Sequence, residues 1–160
     1  MRRLALLPMT LIVVAMLCWP APAAAQETSV TGAGAGLFPE GAAYLGLPLS
    51  SLSLGMGLGV AGTWAAGQFQ VTLTGTNALG AEQNIVIEGQ ATASTPSAPG
   101  TAVFSGTSTV DPGDGTLSLP GVPFVALVAA NPDGTGSLTL NLGGTNLPAV
   151  GINEGHLTVK

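Results

Sequence analysis

Glu154 and His156 stand two positions apart, and in a strand that spacing sends both side chains to one face. A carboxylate beside an imidazole can orient a general base, so this pair is the catalytic candidate. His156 is the single histidine, and an acid–base pair also needs a pocket with a further convergent group. No Gly-x-Ser-x-Gly elbow accompanies the serines. The pair is therefore read first as polar surface near a strand end, with catalysis the lesser reading.

Asp111 and Asp114 flank Pro112-Gly113 and are the candidate metal ligands. The Asp-x-Asp-x-Asp-Gly ladder of a calcium loop is missing, and aspartates bonding their own backbone in turns account for them better. Glu82 and Glu88 bracket one extended run and lie about 20 Å apart, beyond the roughly 5–9 Å of a glycosidase pair. Gly32, Gly34 and Gly36 precede no strand–helix unit, so they make no dinucleotide site. No Walker loop, zinc cluster or redox cysteine pair occurs, and no cofactor is expected. Trp64 and Tyr44 lie near loops and are the candidate ligand contacts, although core packing or lid closure is the commoner fate of such rings.

The elements that must position these residues follow a two-residue period. Leu52, Leu54, Met56, Leu58 and Val60 alternate with Ser53, Gly55, Gly57, Gly59 and Ala61, which predicts a strand with an apolar face and a nearly bare one. Phe69, Val71 and Leu73, then Ile85 and Ile87, form a hairpin around Thr76-Asn77-Ala78-Leu79-Gly80. Asn131-Pro132-Asp133-Gly134 is a turn sequence, and Leu138, Leu140 and Leu142 alternate after it. Thr28 to Leu37 starts the sheet; Val150 with Ile152 and His156 to Val159 end it. Phe38 to Pro48 and Thr92 to Thr101 read as loops, and Thr116 to Leu119 as a short strand. Pro123 to Ala129 is apolar at both parities, predicting burial on both faces or under a loop.

Eight or nine short strands joined by local turns predict an all-β, antiparallel barrel of up-and-down or meander type, with a β-sandwich as the lesser alternative. An outer-membrane barrel needs aromatic girdles and outward apolar residues, for which residues 26–160 supply too few aromatics.

Residues 1–25 read as an address. Met1-Arg2-Arg3 is basic, Leu4 to Trp19 is apolar, and Ala23-Ala24-Ala25 offers small residues before Gln26, the order of a secretory signal peptide. The apolar run falls short of the roughly 20 residues that cross a bilayer. Leu17 stands where acylation of Cys18 would want a small residue, which disfavours a lipoprotein. Residues 26–160 then form one β domain that contains no cysteine. A small cysteine-free exported domain points to a bacterial protein.

Eight acids against Lys160 give the side chains of that domain a balance of −7. No basic face can be built to neutralise phosphates, so nucleic acid is excluded as a partner, and anionic membrane surfaces are disfavoured. The expected protein is exported and non-catalytic, with a structural or interaction role at the cell surface, in the periplasm or in the medium. The alternative is a small apolar ligand held in the barrel interior.

Overall fold

The structure, a computed structural model, describes residues 27–160. The signal peptide expected over residues 1–25 and the cut expected before Gln26 fall outside the described residues. Eleven strands and no helix form among the described residues: β1 (Glu27–Leu37), β2 (Ala43–Tyr44), β3 (Leu47–Ala61), β4 (Trp64–Thr76), β5 (Glu82–Thr95), β6 (Thr101–Asp111), β7 (Leu119–Ala130), β8 (Gly136–Leu142), β9 (Thr145–Asn146), β10 (Val150–Ile152) and β11 (Glu154–Val159). From β3 to β8 each strand pairs antiparallel with its sequence neighbour. The path runs β10-β8-β7-β6-β5-β4-β3-β1-β11, with β2 on β3 and β9 on β8. This antiparallel sheet curls into an open half-barrel of nine strands. One curled sheet, rather than two stacked ones, carries the fold.

The alternation read from the sequence sorts the side chains. Leu52, Leu54 and Leu58 of β3 are buried, while Met56 and Val60 pack against the same core. Phe69, Phe104 and Phe124, from β4, β6 and β7, meet edge to face at its centre, with ring centroids 4.6–6.2 Å apart. Gly89 makes room for them, since a Cβ there would collide with the Phe69 ring.

Bulges let runs of opposite parity share one core. In β3 the register shifts between Leu49 and Ser51, so that Leu47 and Leu49 face inward as well as Leu52 and Leu54. A second shift, between Ala91 and Ala93 of β5, turns Ser94 inward.

Four expectations change. β5 extends to Thr95, because Ser94 and Thr95 find partners in Phe104 and Val103, and paired backbone outweighs a weak apolar pattern. β3 starts at Leu47 and is met by β2, so Phe38 to Pro48 is only partly loop. Thr116 to Ser118 form no strand; β7 starts at Leu119. The double-sided burial predicted for Pro123 to Ala129 also fails. Phe124, Ala126 and Val128 are buried, whereas Val125 and Leu127 are 46% and 41% exposed. Nothing among the described residues covers the outward side of β7.

β10 and β11, at opposite ends of the strand path, are separated in sequence by Asn153 alone. Asn153 N donates to Ala35 O at 3.3 Å and Leu157 N to Gly134 O at 2.8 Å. The missing side chains of Gly34 and Gly36 leave space for β10, since a Cβ at either would strike Ile152 or Gly151.

Candidate functional site

The residues singled out for chemistry do not converge. Glu154 and His156 are both exposed on β11, opposite Ala35 and Ala33 of β1. The imidazole lies against Gly134 in the β7–β8 turn, where an added Cβ would meet Nδ1.

Asp111 and Asp114 are occupied by their own turn. Asp111 Oδ1 accepts from Gly113 N at 2.9 Å, and Asp114 Oδ1 accepts from Thr116 N at 2.9 Å and Thr116 Oγ1 at 2.6 Å. The Thr116 hydroxyl chiefly, then its N–H, holds the Asp114 carboxyl below the usual range. Asp133 repeats the device with Thr135. No group of three or more His, Cys, Asp or Glu side chains gathers as a metal site among the described residues.

Tyr44 does not stand open to a ligand: it is 6% exposed, packed in the core where β2 meets β3. Burial pushes its phenol above the ordinary value. Trp64, by contrast, is 55% exposed. It follows the two-residue Gly62-Thr63 turn of the β3–β4 hairpin and pairs with Ala61. Ser94, invisible to pattern reading, fixes that hairpin: its Oγ lies 2.8 Å from Gly62 O and 2.9 Å from Trp64 O.

A hollow of about 640 Å³ lies outside the core, across β3 to β6 with Gly121 of β7 at its edge. Register builds it. Gly55, Gln70, Glu88 and Thr109 form one cross-strand row, and Gly57, Gln68, Gln90 and Thr107 the next. Gly55 and Gly57 leave β3 as a bare shelf, with open space where a Cβ would stand. Gln70 Nε2 donates to Glu88 Oε1 across a long 3.4 Å. Glu88 is the one titratable side chain lining this trough. The trough can donate and accept hydrogen bonds but holds no second group for proton transfer. No signal along a single strand marks it, because its rows exist only across strands.

A second hollow, about 410 Å³, sits under the Pro96–Gly100 loop at one end of the half-barrel, against Val60, Ala102, Val159 and Lys160. A third, about 320 Å³, adjoins it beside His156 and Leu157. All buried side-chain N and O atoms among the described residues are hydrogen-bonded, so no orphaned polar group points into any of the three. No protein-family model matches the chain, and no curated protein or solved structure matches it either.

Proposed function

We propose that this chain is an exported, non-catalytic β protein with a structural or interaction role at the cell surface or in the medium. One observation carries the reading: the hollow of about 640 Å³ on the outer face is a polar trough with a single titratable side chain, suited to hydrogen-bonded contact and not to acid–base turnover. The apolar interior, filled around Phe69, Phe104 and Phe124, supports an outward-facing role. The acidic balance argues against nucleic acid, and outward Gln, Thr and Ser rows argue against strands facing lipid.

The basic, apolar and small-residue order of residues 1–25 supports export. Fractionating the producing cells and sequencing the recovered N-terminus tests it. A chain beginning at Gln26 outside the cytoplasm is expected; a cytoplasmic chain with Met1-Arg2-Arg3 intact overturns export.

The finer fold we infer is a closed barrel, with β10 and β11 acting as one bent strand that joins β8 to β1. The single-residue link at Asn153 supports it. Protection of the Asn153 and Leu157 amides from hydrogen exchange is expected, and rapid exchange at both would mean the seam stands open.

The alternative, a small apolar ligand, is favoured by the hollow beneath the Pro96–Gly100 loop. Its volume exceeds the roughly 300 Å³ at which ligand pockets begin, although it lies at the rim and not in the interior. Native mass spectrometry of chain purified from its own host separates the readings: an apolar molecule retained there supports the alternative, and bare protein removes it.

A further inference from the structure

Residues 27–160 hold two basic side chains, His156 and Lys160, against eight acids. Both basic residues line the same hollow of about 320 Å³ at the end of β11. None of the eight acids lines that hollow or the adjoining one of about 410 Å³. His156, Thr158 and Lys160 alternate along the strand, so they share one side at a spacing of about 7 Å. An imidazole, a hydroxyl and an ammonium therefore stand in one row. Glu154 continues the row beyond the hollow, and the Asp133 carboxylate of the facing turn is taken up by Thr135. Lys160 N and O both pair with Ser29 of β1, which fixes the root of the ammonium's side chain.

The two hollows adjoin: Gly100, Val159 and Lys160 line both. Val60, Ala98, Pro99, Ala102 and Val159 make the apolar side of the larger one. Val60 and Val159 pack against the core, and Ala102 is buried in it. A basic row thus opens onto an apolar recess.

We infer that this rim binds a single-chain amphiphile with a carboxylate head, of the fatty-acid class. Its chain lies beneath the Pro96–Gly100 loop and its carboxylate in the row of His156, Thr158 and Lys160. Charge selects the head. Imidazole N–H, hydroxyl and ammonium all donate hydrogen bonds, and a carboxylate accepts the stronger kind. The side-chain balance of −7 repels polyanions at a distance, which leaves a ligand with one charge whose chain supplies most of the binding. Volume selects the chain, since the larger hollow exceeds the roughly 300 Å³ at which ligand pockets begin.

This inference rests on the apolar-ligand reading given above and adds a head group to it. The test is an NMR titration of the isotope-labelled chain with decanoate and with decanol, which has the same chain length and no charge. Decanoate should shift the Val60 and Val159 methyls and the His156 ring together, to saturation. His156 and Lys160 are exposed, so replacing them leaves the core intact. His156→Gln and Lys160→Met should each weaken decanoate about two- to fivefold, and the double variant about tenfold, with decanol unchanged. Added salt should weaken decanoate relative to decanol. If decanol moves the same methyls while decanoate is indifferent to both substitutions, the carboxylate head is overturned and the apolar ligand stands. Absence of methyl shifts with either compound overturns both, and decanoate shifts confined to other surfaces overturn this site.

Discussion

Ser94 holds Gly62: its Oγ stands 2.8 Å from the Gly62 carbonyl, with the Trp64 carbonyl 2.9 Å away on the same hydroxyl. Ser94 N donates to Thr63 O at 3.0 Å, so one residue of β5 binds the whole β3–β4 turn. Ser94→Ala removes the hydroxyl from a buried position, and the carbonyls it served lose a partner. A loss of about 1–3 kcal/mol is expected from urea denaturation; an unchanged midpoint would mean that water serves the carbonyls equally well.

Leu54 and Ser53 are neighbours on opposite faces of β3, one buried and one exposed. Leu54→Asp should abolish stable folding, because an unpaired carboxylate would enter the core. Ser53→Asp should shift Tm only slightly. Equal losses from the two would show that β3 is covered on both sides.

Much of this was legible in the sequence and some was not, for reasons that particular residues make plain. Leu52, Leu54 and Leu58 alternate strictly, and strict alternation has one geometric meaning. Asn131-Pro132-Asp133-Gly134 is a turn by its chemistry, and Gly134 takes the positive φ it allows. Ser94 was hidden because the bulge between Ala91 and Ala93 reverses parity, and a bulge leaves no mark on composition. Gln68 and Gln90 were ordinary outward residues until register set them side by side. Val125 and Leu127 carry the pattern of covered residues, because a strand apolar on both faces is usually sandwiched or lies under a loop, yet both are exposed.

Leu45 has φ of +51° and Gly46 of +79°, in the two-residue turn between Tyr44 and Leu47. Turns of this kind favour Asn-Gly. A leucine side chain in the left-handed region costs roughly 1–2 kcal/mol, and Leu45 is exposed, so little packing offsets it. Leu45→Asn should therefore raise stability by about 1 kcal/mol. A fall in Tm would show that the leucine makes a contact of its own.

Glycines on the two faces should respond in opposite ways. Gly89→Ala drives a methyl into the Phe69 ring and should cost about 1–3 kcal/mol. Gly57→Ala meets open space and should be neutral or stabilising, by up to about 1 kcal/mol. Denaturant midpoints of the pair decide it, and the expectation fails if Gly57→Ala is the more damaging.

Asp114 and Asp133 each add an acid-side pH dependence. Thr116 and Thr135 hold their carboxyls below the ordinary 3.8. A carboxyl whose pKa falls on folding contributes stability in its ionised form. That contribution is complete above 3.8 and is lost as pH falls through the lowered folded value. Thr135→Val should bring the Asp133 titration back up toward 3.8 in carboxyl-carbon NMR. An unmoved midpoint would assign the shift to another cause.

The pairing of β1 with β11, Val30 opposite Val159 and Ala33 opposite His156, has a kinetic consequence. β1 has β3 on one side and β11 on the other, so one flank stays bare until β11 arrives. Contacts so distant along the chain are entropically costly to close, and topologies built on them fold in milliseconds to seconds rather than microseconds. The β3–β4 and β4–β5 hairpins can form early, while β11, about 120 residues from β1 along the chain, sets the pace at which the sheet is completed.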